Sequence, residues 1–213
     1  MEKKDIEKIR IAAEQGDANA QFELGNAYGD GDGVEENPKE AVRWYRKAAE
    51  QGHVDAQCFL GDAYNDGDGV EQNYTEAAHW YRKAAEQGDE TAQDNLGLMF
   101  HLGQGVEKND NEAVIWFKKA SEKNDPLSCF HLGLMYYRGW GVQQDFAEAL
   151  RLFLKSTEED ENGAVIENAN GYIGSIYLMG KGVKQDLNEA RKWLQKAADQ
   201  GDEEAKEALK ELN

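Results

Sequence analysis

The dipeptide Leu24-Gly25 returns as Leu60-Gly61, Leu96-Gly97 and Leu132-Gly133 and, with isoleucine in front, as Ile173-Gly174. A second element, Gly-x-Gly-Val, returns at Gly31 to Val34, Gly67 to Val70, Gly103 to Val106, Gly139 to Val142 and Gly180 to Val183. The dipeptide Glu-Ala follows at Glu40, Glu76, Glu112, Glu148 and Glu189. All three series step by 36, 36, 36 and 41 residues, the last step lengthened by an insertion around Glu158 to Asn168. A chain with such a period is a row of stacked supersecondary units, each burying its apolar face only against its neighbours.

Each unit reads as two helices. Gly16 suits the left-handed position that ends one helix, and Asp17 suits the cap that starts the next; the same junction stands at Gly88-Asp89 and Gly201-Asp202, and Pro126 follows Asp125 where a first-turn proline is tolerated. Ala20, Leu24, Ala27 and Tyr28 then fall on one face of helix A, which the glycine turn stops. Helix B opens five times on a capping-box pattern, Asn37-x-x-Glu40, Asn73-x-x-Glu76, Asn109-x-x-Glu112, Asp145-x-x-Glu148 and Asp186-x-x-Glu189. Its core face is Ala41, Trp44, Tyr45, Ala48 and their equivalents; Trp44, Trp80, Trp116 and Trp193 share one phase, with Leu152 in the remaining copy. The predicted organisation is a single domain over 1–213. It has a cap helix at 1–16, repeats at 17–52, 53–88, 89–124, 125–163 and 164–200, and a cap helix at 201–213.

Charge narrows the function. The 42 acidic residues against 24 Lys and Arg give a formal net charge of −18. Such a chain repels phosphate backbones and lacks the basic patch that an anionic membrane attracts, so no nucleic acid and no membrane are expected. A basic partner fits the sign. No stretch of about 20 apolar residues predicts a membrane span, and the start Met1-Glu2-Lys3-Lys4-Asp5 has no apolar segment behind it that would read as a leader. The two cysteines, Cys58 and Cys129, are too few for a disulfide framework, so a cytoplasmic location is expected. A mature periplasmic or secreted form is the alternative if a leader has been removed.

The residues Ala56, Leu60, Gly61, Tyr64, Gly67, Gly69, Val70, Glu76, Ala77, Trp80, Tyr81, Lys83, Ala84, Ala85, Gly88 and Ala92 together resemble the Sel-one-like repeat (SLR). The resemblance runs through nearly the whole chain. It implies an all-α fold, a right-handed superhelical α-solenoid similar to tetratricopeptide repeats, with five two-helix repeats between the two cap helices. It also implies a binding or adaptor role rather than an enzyme, because the matched residues are structural. Some relatives carry a cysteine pair in every repeat, which this sequence lacks.

No catalytic, metal-binding or cofactor-binding residues are assigned. Asp30-Gly31-Asp32-Gly33 and Asp66-Gly67-Asp68-Gly69 offer clustered carboxylates, but the next two copies, Leu102-Gly103-Gln104-Gly105 and Arg138-Gly139-Trp140-Gly141, keep the glycines and lose the acids, as a turn would. His53, His79, His101 and His131 are placed on helix surfaces. What varies is the helix A face opposite Leu24, where repeats one and two are polar and acidic and repeats three to five are apolar. In such solenoids helix A lines the concave groove, and the expected partner-binding residues are Asp62, Asp66, Leu98, His101, Leu102, Phe130, Leu134, Tyr137, Arg138, Trp140 and Met179. The competing reading packs several of them against neighbouring helices. Trp140 has two readings of its own, a binding anchor in an exposed turn or a ring folded over a neighbouring loop. The expected function is a monomeric interaction scaffold holding a basic protein or peptide, with an immunity or antitoxin protein against a basic toxin as the alternative.

Overall fold

The computed structural model describes residues 3–122, 125–158, 166 and 168–212. Among them are twelve α-helices and no strand. They group into two compact units, Met1–Lys108 and Asn109–Asn213, and the division falls inside the third repeat. The first unit holds α1 (Lys3–Glu14), α2 (Ala18–Asp30), α3 (Pro38–Glu50), α4 (Val54–Asp66), α5 (Tyr74–Glu86) and α6 (Glu90–Leu102). The second holds α7 (Asp110–Ser121), α8 (Pro126–Arg138), α9 (Phe146–Ser156), α10 (Ala169–Met179), α11 (Leu187–Asp199) and α12 (Glu203–Glu211). Within each unit every helix packs on the one before it, the antiparallel helix-pair architecture of a repeat solenoid.

The helix starts follow the sequence signals. Asp17, Asp89, Asp125 and Asp202 each accept a hydrogen bond from a backbone N–H three residues on, at 3.0, 2.7, 2.7 and 3.0 Å. His53 is not the surface residue that the sequence suggested. It caps α4, its Nδ1 accepting from the Ala56 N–H at 3.3 Å, because Gly52 turns the chain there as Gly16 does before Asp17. An imidazole is a weaker and longer cap than a carboxylate, which also interacts favourably with the helix dipole. His53→Asp is therefore expected to stabilise the protein by about 0.5–1 kcal/mol and to raise Tm by roughly 2–4 °C in thermal unfolding. A lower Tm would mean that the ring contact of His53 with Phe22, 4.7 Å between centroids, outweighs the cap.

Helix B is capped as expected from one side only. Asn37, Asn73, Asn109, Asp145 and Asp186 accept from the N–H of the Glu three residues on, at 3.0 to 3.2 Å. The reciprocal half of the capping box is replaced. The N–H groups of Asn37, Asn73, Asp145 and Asp186 donate instead to the carbonyls of Tyr28, Tyr64, Tyr136 and Tyr177, so one hydrogen bond serves the end of helix A and the start of helix B. The freed Glu40, Glu148 and Glu189 pair with Arg43, Arg151 and Lys192 one turn on.

The core face of helix B is buried as read, with Trp44, Trp80 and Trp116 inside and Leu152 in their phase, while Trp193 is half-buried. The lysine three residues after each tryptophan closes over the ring, Nζ of Lys47, Lys83, Lys119 and Lys196 lying 3.7, 4.5, 3.9 and 4.1 Å from the ring centroids. The stem covers apolar surface while the ammonium stays wet and attracts the π face. A polar ladder runs beside this core. Buried Gln21, Gln57 and Gln93 donate back to the carbonyls of Ala13, Ala49 and Ala85, and Gln21 and Gln57 accept forward from Gln51 and Gln87 at 2.8 Å. Each amide thereby gives a second hydrogen bond to a helix-end carbonyl that already accepts the N–H of the turn glycine, Gly16, Gly52 or Gly88.

Both glycines of the Gly-x-Gly turn are required, for different reasons. The first, as at Gly103 with φ 72°, is the left-handed end of helix A. The second stacks its backbone on the preceding repeat: a Cβ at Gly69, Gly105 or Gly141 would lie 2.4, 2.0 or 2.2 Å from the carbonyl oxygen of Pro38, Tyr74 or Asp110. The contact that sets one repeat against the next within each unit is therefore backbone on backbone.

Candidate partner-binding groove

The second unit opens a groove of about 680 Å3 between α8, α10, α11 and α12. Phe130 and Tyr137 stand two turns apart on one face of α8, and Tyr172 rises from α10 beside them. The Tyr137 and Tyr172 rings meet edge-on at 5.2 Å, Phe130 and Tyr172 at 6.1 Å, and all three rest on buried Phe153 of α9 at 5.8, 6.2 and 5.1 Å. Gly171 and Ser175 leave the floor low enough for Leu194 and Ala197 of α11 to line it. The opposite wall is the start of α12, Asp202, Glu203 and Glu204. A Cβ at Gly171 would sit 2.7 Å from Asp202 Oδ2, so the glycine lets that acidic wall approach. Burial chiefly raises the Tyr137 hydroxyl above its ordinary pKa; Arg138 opposes the shift and the Glu204 carboxylate adds to it. One wall is therefore aromatic and the other anionic.

Of the expected binding residues, the groove brings together Phe130, Tyr137 and Arg138. Leu134 is half-buried and packs on the Phe153 cluster. Trp140 is 39% exposed, with the Arg138 guanidinium 6.0 Å from its ring, and Met179 is 40% exposed; neither lines the groove. The segment over which Trp140 was alternatively placed lies largely outside the described residues. The other five belong to the first unit. Asp62 accepts from the Tyr81 hydroxyl at 2.6 Å and burial raises its pKa, so it is an internal acceptor rather than a free steering charge. Asp66 and Leu102 are exposed, and Leu98 and His101 half-buried.

The change from polar to apolar along helix A thus has a packing cause in part. Where helix B carries a tyrosine, Tyr45 or Tyr81, its hydroxyl finds Asn26 or Asp62; where it carries Phe153, the facing residue is Leu134. Tyr172, Glu203 and Glu204 were missed. Tyr172 stands one position beyond the residues compared across repeats, and the two glutamates sit in a cap helix whose acids look like solvated surface.

Fold and groove define a class: a helix-pair repeat protein whose variable residues are displayed on a scaffold of invariant turns and caps. Five Sel1 repeat matches, at residues 18–53, 54–89, 91–125, 126–160 and 169–202, fill most of the sequence, and the chain belongs to the Sel1 repeat family. Proteins of this family are typically non-enzymatic scaffolds for protein–protein interaction. No curated protein matches the chain. Among solved structures, it is similar to a Sel1 repeat protein from Oxalobacter formigenes, with 34% identity over 91% of this chain and 78% of that one and a TM-score of 0.79. It is also similar to a protective antigen with an SLR fold from uropathogenic Escherichia coli, with 32% identity over 94% of this chain and a TM-score of 0.73; this chain spans 50% of the antigen's length. An immunity protein from Pseudomonas aeruginosa shares the fold alone, at 18% identity, a TM-score of 0.50 and coverage of 91% and 72%.

Proposed function

We propose that the chain is a docking protein, acting as a monomer, that holds a segment of a basic partner protein in the groove of its second unit. The observation that carries this reading is the pairing of an aromatic wall, Phe130, Tyr137 and Tyr172, with an acidic wall, Asp202, Glu203 and Glu204, across about 680 Å3. Aromatic anchors in a concave site supply affinity, and complementary charge steers encounter. Buried Cys58 and Cys129 are free thiols, which suits a reducing compartment such as the cytoplasm.

The test uses the partner captured on the native chain and then purified. Reversing the acidic wall with Glu203→Lys and Glu204→Lys is expected to weaken the complex at least tenfold. The association rate of the native protein is expected to fall as salt rises, because the Debye length shrinks to about 8 Å near physiological ionic strength. Trp140→Ala, at a partly exposed ring outside the groove and beside Arg138 of its wall, tests whether the site extends past Arg138: a partner segment that reaches the ring loses about 2 kcal/mol of binding. Undiminished affinity in the charge-reversed protein would end the groove reading, and undiminished affinity in a stable Trp140→Ala protein would remove that residue from the site. The net charge of −18 also suits a second reading, an immunity protein that covers a basic toxin. Rescue of cells from such a toxin, lost in the charge-reversed variant, would establish it.

A further inference from the structure

The ring cluster of the second unit is built a second time, in the first. Phe22, Tyr45 and Phe59 occupy the repeat positions of Phe130, Phe153 and Tyr172, offset by 108, 108 and 113 residues. The geometry repeats with the positions. Phe22 and Tyr45 lie 5.8 Å apart, as do Phe130 and Phe153. Phe22 and Phe59 meet edge-on at 5.5 Å, and Phe130 and Tyr172 edge-on at 6.1 Å. Tyr45 and Phe59 are 5.4 Å apart, against 5.1 Å for Phe153 and Tyr172. The equivalent residues one repeat on, Cys58, Tyr81 and Asn95, and one further, Asp94, Phe117 and His131, do not make an aromatic trio. In the first unit the cluster faces outward: Phe59 is 45% exposed and Phe22 half-buried, over a Tyr45 that is inside.

Charge around this cluster is segregated. The A helices of the first unit, α2, α4 and α6, carry seven Asp and Glu and not one Lys or Arg, while α3 and α5 mix six cations, Lys39, Arg43, Arg46, Lys47, Arg82 and Lys83, with Glu40, Glu50, Glu76 and Glu86. The negative field reaches the rings. Burial first, then the carboxylates of Asp30 and Asp68, push the Tyr45 hydroxyl up to about 12. An apolar patch beside helices whose only charged residues are acids selects against phosphate and acidic lipid, and against a second copy of an equally acidic chain.

We propose that Phe22 and Phe59, seated on Tyr45, form a second docking site that takes a protein segment offering an aliphatic or aromatic anchor flanked by Lys or Arg. The site is separate from the groove of the second unit and stands or falls without it. The probe is a synthetic 15-residue peptide of leucine and lysine, titrated into the full chain by calorimetry. The controls are a peptide with serine for leucine and one with glutamate for lysine. Two peptides are expected to bind each native chain, one to each unit. Phe59→Ser should remove one site and Tyr172→Ser the other, and both controls should bind at least tenfold more weakly. Asp30→Lys with Asp68→Lys, both exposed, should weaken the Phe59-dependent site tenfold without touching a ring, which covers any loss of fold in Phe59→Ser. A single site that only Phe59→Ser removes would support this inference and overturn the groove reading. The inference is overturned if Phe59→Ser and the charge reversal leave binding within twofold of native. It is equally overturned if the serine peptide binds as tightly as the leucine peptide, or if sedimentation shows a dimer that Phe59→Ser dissolves.

Discussion

Gly105→Ala is expected to lose about 3–5 kcal/mol of stability. Gly105 has φ 67°, where an alanine costs about 1–2 kcal/mol through its own Cβ. The new methyl would also lie 2.0 Å from the carbonyl oxygen of Tyr74 and 2.2 Å from its carbon, both backbone atoms at the first turn of α5. They have no rotamer by which to move aside, so the turn itself must retreat and open the contact between repeats, at roughly the upper end of the 1–3 kcal/mol that overpacking costs. Two controls separate the causes in urea unfolding. Gly103→Ala, at φ 72° with its nearest new contact at 3.1 Å, and Gly88→Ala, at φ 95° with no atom within 4 Å, should show little beyond the conformational cost. Equal losses at Gly105 and Gly88 would show that the turn does not rest on the preceding repeat.

Gly61→Ala is expected to destabilise by about 2–3 kcal/mol, even though alanine is the better helix former by about 1 kcal/mol. The added Cβ would stand 2.6 Å from Cδ1 and Cε1 of Tyr81, a ring 2% exposed and held by the hydrogen bond from its hydroxyl to Asp62 at 2.6 Å. Displacing the ring costs packing, and breaking that hydrogen bond strands a half-buried carboxylate. The two losses share one ring, so Gly61→Ala combined with Tyr81→Phe should cost less than the sum of the single variants. A melting temperature that rises in Gly61→Ala would show that the helices do not meet there closely.

The same pairing marks how far the repeats could be read. The Leu-Gly pairs announced a close helix approach, and the approach exists; that a ring of the following helix fills the space comes from packing alone. The Ala-Gln pairs at Ala20, Ala56 and Ala92 also recur in phase, yet an exposed glutamine and a buried one look alike in sequence. The burial of Gln57 at 4% exposure follows from two helix ends closing over it. The reciprocal capping contact failed for a similar reason, since the Tyr28 carbonyl offers the Asn37 N–H a partner 2.8 Å away that local sequence rules do not contain.

Of the groove, one wall is legible in the sequence and the other is not. Phe130, Tyr137 and Arg138 stood out against their equivalents, because apolar and cationic residues in an acidic repeat break its pattern. Glu203 and Glu204 did not, since acids are common here and only the packing of α12 on α11 brings two of them to the groove that the rings line. Asp62 stood out as acid and is in fact a partner for Tyr81.

The sequence by itself determined the helix starts at Asp17, Asp89, Asp125 and Asp202 and at Asn37 and its equivalents, the left-handed glycines and the stripe that helix B buries. These are set by interactions within a few residues, and they recur often enough to be read without ambiguity. Which exposed residues share a surface was decided by tertiary structure. Phe22 and Phe59 lie on different helices, and Tyr137 and Glu204 lie 67 residues apart in the chain. They meet because the ring packed against Gly25, Gly61 or Gly133 sets helix A against helix B within a repeat, and the backbone contact at the second turn glycine sets one repeat against the next within each unit.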